Sequence, residues 1–394
     1  MAKRASKPAG KSQRALGESQ ETEVALPAMP PVVAPIALSA VLGQDRAVGV
    51  LRGALAAGKV HHAWVFHGPA GVGKFTTALA FAACLLDPTT EATFTGEIAP
   101  DPESRVQALL RGGTHPDLTV VNRETSKFHD DKKVRDQKQT NISLHVIRQF
   151  VIEPARLAAQ VQPGGLASKV YIIDEAELLQ WQAQNALLKL LEEPSPGVVL
   201  MLVTSNPELL APTIRSRCQR VSFMGLGQGA MQQWLSGRDI EMTPAQRDWL
   251  LTFCDGSPGM LLRAHETGIH AWWQRLEPLL TQAEQGRHVV ELGPMMHELT
   301  NTWAENWVKA RGDLASKEAA NGAAAEWMFR VMAWRLAARL RTAMKNHADV
   351  EPILAQIDAL RAAETELEAN VSLQFVMEKL AAEIAACARG DALV

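Results

Sequence analysis

Five short apolar runs punctuate the first 225 positions: "AWVF" at 63–66, "LTVV" at 118–121, "VYII" at 170–173, "VVLMLV" at 198–203 and "VSF" at 221–223. Most are apolar at consecutive positions rather than at alternate ones. Such a run has to be covered on both faces of its pleat, which is the mark of a parallel sheet between layers of helix. Helical periodicity separates the runs. Val48, Leu51 and Leu55 fall on one helical face, and "KFTTALAFAACLL" continues a second helix. "ISLHVIRQFVIEPARLAAQ", with Ile142, Val146, Phe150 and Leu157 as its apolar positions, predicts a third. "AELLQWQAQNALLKLLEEP" predicts a fourth, stopped by Pro194. The expected fold class is α/β, with a five-stranded parallel sheet.

Beyond about residue 225 the strand pattern ends. "QGAMQQWLSG", "TPAQRDWLLTFCDG" and "SPGMLLRAHETG" read as three short helices punctuated by Gly and Pro. Longer helices follow from about 285. The clearest is "AAAEWMFRVMAWRLAARLRTAMK", which puts Trp327, Val331 and Trp334 on one side and Arg335 and Arg339 toward its flank. The Pro- and Ala-rich residues 1–37 cannot build a packed core and read as a disordered tail. The predicted division is therefore a tail (1–37), an α/β domain (38–224), a small helical domain (225–280) and an all-helical C-terminal domain (281–394). The charged run "KFHDDKKVRDQKQ" reads as a solvated loop.

Composition narrows the class. Across 394 residues, 47% are hydrophobic and the formal net charge is −3. That balance argues against a stand-alone nucleic-acid binder, which usually carries a basic excess. The four cysteines are far apart, so neither a zinc pair nor a disulfide framework is expected. The basic start lacks an apolar run, and "GVVLMLV" is too short to span a bilayer, so a cytoplasmic protein is expected.

The chemistry concentrates in "HGPAGVGKFTT". Gly68, Gly73 and Lys74 stand where the phosphate-loop pattern G-x-x-x-x-G-K-[ST] needs them, between a strand and a helix. Gly68, Gly71 and Gly73 let the backbone bend so that amides point at phosphate oxygens, and Lys74 reaches the β- and γ-phosphates. The next position should carry the hydroxyl that holds Mg²⁺, but it is Phe75. Thr76, one position late, is a further candidate, although a slip of one residue turns a side chain by about 100° around the helix. "VYIIDEAE" resembles the second motif of P-loop ATPases, in which Asp174 holds Mg²⁺ and Glu175 polarises the attacking water. The plainer alternative is a capping pair at the next helix. Ser205, just past a strand end, could sense the γ-phosphate.

"VLGQDRAVGVLRGALAAGKVHHAWVFHGPAGVGK", "VYIIDEAELLQWQAQNALLKLLEEP" and "TSNPELLAPTIRSRC" together resemble the bacterial DNA polymerase III clamp-loader branch of the AAA+ ATPases, over about residues 40–225. The triplet Ser216-Arg217-Cys218 is its most specific mark. The resemblance implies a P-loop α/β domain, a helical lid and a helical collar for oligomerisation. It also implies motor (gamma/tau) and delta partners in a loader that places a sliding clamp on primed DNA. Arg217 matches the finger offered to a neighbour's ATP, an effect worth about 10³–10⁵ in rate for such groups. Three features of the motor subunit are missing. Phe75 replaces the Mg²⁺ hydroxyl, Leu85 to Pro116 holds no cysteine for zinc, and Gly259 stands at the lid arginine. The resemblance is therefore to the non-motor class: ATP bound but hardly hydrolysed, Mg²⁺ only with ATP, and no zinc. The competing reading is an autonomous AAA+ ATPase, favoured by the retention of Asp174 and Glu175.

Overall fold

The computed structural model describes residues 31–92, 97–136, 140–161, 164–311, 317–369 and 371–390. The sheet strands are β1 (Ala63–His67), β2 (Leu118–Val121), β3 (Lys169–Ile173), β4 (Val198–Thr204) and β5 (Gln219–Ser222). They lie in the order β2-β3-β4-β1-β5, and every pairing is parallel. The pleat sorts each strand's residues between two cores. Trp64, Phe66, Val170, Ile172, Met201 and Val203 face one layer. Val65, Tyr171, Ile173, Leu200 and Leu202 face the other. Both layers are buried, which is why the strands read as unbroken apolar runs. The result is a parallel α/β sheet held between two helical layers.

The longer helices are α1 (Asp45–Ala56), α2 (Lys74–Leu86), α3 (Trp181–Glu192), α4 (Gln228–Ser236), α5 (Pro244–Phe253), α6 (Pro258–Thr267), α7 (Ile269–Ala283), α8 (Leu292–Arg311), α9 (Lys317–Lys345), α10 (Glu351–Glu368) and α11 (Leu373–Arg389). Among the described residues no helix is long and apolar enough to cross a membrane.

Three local readings change. The segment predicted as one helix before α3 is a 3-10 turn at Ala176–Leu178, a break, and then α3. The break exists because Leu179 forms an isolated parallel bridge with Ile142: Ile142 N donates to Leu178 O at 2.9 Å and Gln180 N to Ile142 O at 3.0 Å. For the same reason Ile142 precedes its helix instead of starting it. That helix widens into a π turn at Arg148–Ile152 and ends at Ala155, leaving Leu157 exposed. The charged run is not a solvated loop over its described residues. Asp131 caps a short helix at Lys132–Arg135, Val134 is buried, and the His129 ring packs against His145 and Phe150. Residues 137–139 of the run lie outside the described residues, as do residues 1–30 of the expected tail. Residues 31–37 run extended, and Val32 N donates to Gly113 O at 3.2 Å. The expected boundary at 280 falls inside α7, which continues through Pro278 to Ala283.

The helices after β5 are fastened to one another by aromatic rings. Trp334 of α9 meets Trp249 of α5 at 5.4 Å, Trp273 of α7 at 5.0 Å and Phe253 of α5 at 6.0 Å. Trp327 reaches Phe253 at 6.5 Å, and Val331 between them is fully buried. Beside this cluster, Arg335 and Arg339 converge on Glu284, at 2.9 Å and 3.5 Å. The Glu284 side chain is only 8% exposed, and Arg335 forks onto both its oxygens. Arg339 also donates to Gln356, whose amide donates to Ile384 O at 2.8 Å. One carboxylate thus ties the end of α7 to α9 and, through Arg339, to α10 and α11.

Removing that charge leaves two guanidinium groups side by side in a half-buried place. Glu284→Gln should lower stability by about 2–4 kcal/mol. Urea unfolding followed by tryptophan fluorescence measures it, because Trp273 and Trp334 sit at the junction. A loss below about 0.5 kcal/mol, the range of an exposed pair, would contradict the assignment.

Candidate nucleotide site

The loop at 68–73 leaves the carboxyl end of β1 and turns directly into α2. Ligands of open α/β sheets lie at this end of the strands. Gly68 has φ +144, and a Cβ there would stand 2.2 Å from Phe223 O, so only glycine fits. Both sides of the loop are held by buried polar groups. Gln44 donates to Val72 O at 3.1 Å and to Met224 O at 2.7 Å. On the opposite side Ser257 Oγ donates to Ala70 O at 2.8 Å, and Gly259 N donates to Gly71 O at 2.9 Å. Helix α6 therefore begins directly on the loop.

Lys74 is the first residue of α2 and is buried. Its ammonium donates to Gly68 O at 2.7 Å, Pro69 O at 2.6 Å and Ser205 Oγ at 3.2 Å. Burial lowers its pKa to about 8, against the pull of the Glu177 and Asp174 carboxylates, so it remains mostly charged at neutral pH. Asp174 follows β3; its N–H donates to Val121 O at 2.8 Å, and its carboxylate accepts the Glu175 N–H at 2.9 Å. Burial first, and then the Glu175 and Glu177 charges, raise its pKa to about 6, opposed by that hydrogen bond and by Lys74. Lys74, Asp174 and Ser205, read from three distant segments, thus meet at one end of the sheet.

The remaining candidates sort differently. Gly71, Gly73, Thr76 and Glu175 line the same cavity, and Thr76 is exposed. Phe75 also lines it, half-buried, with its ring packed on the main core. Glu175 adopts the left-handed conformation at φ +52, and its carboxylate lies 3.1 Å from the Arg123 guanidinium. It does not cap α3, which begins six residues later. Arg217 is away from this cavity, 2.8 Å from Glu192 of its own chain, and it donates to Thr213 O at 2.9 Å. Asn206 caps the short turn that follows β4 by accepting the Glu208 N–H.

Several residues in or beside the cavity wall were not singled out from sequence. Arg123 reaches Glu175 from beyond β2, and Glu177 accepts the Ser205 N–H at 3.3 Å. Trp234, Arg238, Leu262 and Arg263 come from α4, the residues just after it, and α6. Arg238 stacks over the Trp234 ring at 4.5 Å. Their helices were predicted, but which face turns toward the loop depends on how the lid docks.

The cavity holds about 950 Å³, at the upper end of the range for small-molecule sites. One part of its wall is apolar, with Ile36, Val41, Leu42, Leu226 and Trp234. The other part carries Lys74, Ser205 and the acids. A base at the first and phosphates at the second suit this wall. A divalent ion fits less well. Among the described residues no group of three or more His, Cys, Asp or Glu is arranged for a metal. With Phe75 in the hydroxyl position, Mg²⁺ would rest on Asp174 and on phosphate oxygens brought by the nucleotide.

Residues 43–226 match the family described as DNA polymerase III, delta subunit. The DNA polymerase III subunit delta' of Pseudomonas aeruginosa is 35% identical over 210 residues, 53% of this chain and 57% of that protein. The subunit delta' of Bacillus subtilis is 29% identical over 199 residues, 50% of this chain and 52% of that protein. The subunit tau of Bacillus subtilis is 29% identical over 222 residues, 55% of this chain and 35% of that protein. The chain thus spans little more than half the length of the two delta' relatives, and a smaller share of tau. Over residues 43–226 the chain is thus similar in sequence to DNA polymerase III subunits of the delta' type.

Proposed function

We propose that this chain is a non-motor subunit of a DNA polymerase III clamp loader, holding a nucleotide that it scarcely hydrolyses and serving the ATP site of a neighbouring motor subunit. The observation that carries this reading is the meeting of Lys74, Asp174 and Ser205 at one cavity, with the Phe75 ring at the position where the phosphate-loop pattern has a hydroxyl. Glu175 supports it, because a carboxylate paired to Arg123 at 3.1 Å is poorly placed to polarise water. The motor (gamma/tau) and delta subunits, the sliding clamp and primed DNA are the proposed partners, with the C-terminal helices α8–α11 as the assembly region.

Arg217 is the proposed finger toward the neighbour. Its present partner, Glu192, is half exposed, as Arg217 itself is in part. Such a surface pair is worth about 0–1 kcal/mol. A nucleotide's phosphate, approached by the planar fork of the guanidinium, can therefore displace it.

Two outcomes test this reading. The isolated chain should show background ATP turnover, unaffected by Lys74→Ala; robust turnover abolished by that change would favour an autonomous ATPase. In the reconstituted loader, Arg217→Ala should lower DNA-stimulated turnover at the adjacent site by at least about tenfold with unchanged thermal stability. Unchanged turnover would remove the finger role.

The site also carries a cost to folding. The Asp174 pKa is raised from 3.8 to about 6, so the folded state holds its proton more tightly than the unfolded chain does. Stability from this group is therefore greatest below about pH 4 and falls as pH rises through about 6. Asp174→Asn should raise the stability of the nucleotide-free chain at pH 7.5, by on the order of 1–2 kcal/mol, and by little at pH 4. Urea unfolding at the two pH values checks it. A loss at pH 7.5 would mean that the charge stabilises the fold.

A further inference from the structure

The lid presents a problem of charge. Gly259 sits so close to the loop that a Cβ on it would lie 2.9 Å from Gly71 Cα and 3.1 Å from Gly71 O. No side chain, and hence no cation, can stand at position 259 while α6 is docked there. Yet a polyphosphate in this cavity lies near Asp174, Glu175 and Glu177. Arg123 answers Glu175, and Lys74 sits within the field of Asp174 and Glu177. Further positive charge has to come from another place on the wall.

We propose that Arg263 is the lid's contact to nucleotide phosphate in this chain, a proposal that rests on the nucleotide-site reading above. Arg263 lies one turn along α6 from Gly259, and both line the cavity. Side chains on a helix lean toward its N-terminus and cover the preceding turn. By that rule the Arg263 side chain is placed on the side of the bare glycine surface that abuts the loop. Four residues of helix correspond to a rise of about 6 Å, which the long arginine side chain can span.

Its electrostatic state fits the assignment. Among the described residues the Arg263 guanidinium takes part in no ion pair, whereas Arg123, Arg215, Arg217, Arg335 and Arg339 each face a carboxylate. The other cation on the lid side, Arg238, is spread over the Trp234 ring instead. Arg263 is exposed at the cavity wall, so it meets a ligand without first breaking a bond to its own chain. The ligand class is a nucleoside di- or triphosphate, with its base toward the apolar wall and its phosphates between Lys74 and Arg263.

The test is equilibrium binding of ATP and of adenosine to the full chain and to its Lys74→Ala, Arg263→Ala and Arg263→Lys forms, with a melting curve for each. Arg263→Ala should weaken ATP at least tenfold, leave adenosine and the melting temperature unchanged, and be partly restored by lysine. Equal loss of ATP and adenosine would overturn the proposal, because Arg263 would then shape the lid rather than touch phosphate. Unchanged ATP affinity in Arg263→Ala, beside a loss in Lys74→Ala, would overturn it while keeping the nucleotide site. Failure of the unsubstituted chain to bind ATP would remove the nucleotide reading, and this proposal with it.

Discussion

The Gly259 amide donates to Gly71 O across 2.9 Å, and on neither residue is there room for a side chain. With Ser257 Oγ on Ala70 O, this contact fixes where the lid stands. Each such bond contributes only about 1 kcal/mol net, but the pair is reinforced from the other side by Gln44, which holds Val72 O and Met224 O. The phosphate loop is thus clamped between the start of α1 and the start of α6. The cavity, the cations on its wall and the absence of any cation at 259 all follow from that clamp.

The clamp also joins the loop to the rest of the chain. Helices α5 and α7 flank α6, and their rings close on Trp334 of α9. Glu284 then fixes the end of α7 to Arg335 and Arg339. These helices are held at one end by hydrogen bonds to the loop, from the Gly259 amide and Ser257 Oγ, and at the other by aromatic packing and a buried charge cluster. In this arrangement the start of α6 rests directly on the loop.

Much of this was legible in the sequence, for definite reasons. The five strands were visible because a strand buried on both faces cannot alternate polar and apolar positions. Lys74, Asp174 and Ser205 were visible because each directly follows a loop or strand end with its own local signature. The Glu175–Arg123 pair was not, since 52 positions separate the two and only the order of β2 and β3 brings them together. The break before α3 was hidden for a similar reason: a distant bridge to Ile142 overrides a helical pattern. The charged run near 130 misled because its two anchors, His129 and Val134, are few among many charges. Arg263 was hidden because the face of α6 that meets the loop is chosen by Gly259.

Everything above turns on the seating of α6 on the loop at 68–73, where the Gly259 amide donates to Gly71 O. Amide hydrogen exchange at Gly259 measures that contact directly. With α6 seated on the loop, this amide should exchange as slowly as those of the buried strands β1 and β4, without added nucleotide. Exchange of the Gly259 amide at the rate of an exposed loop amide would mean that the lid stands open, and would contradict that seating.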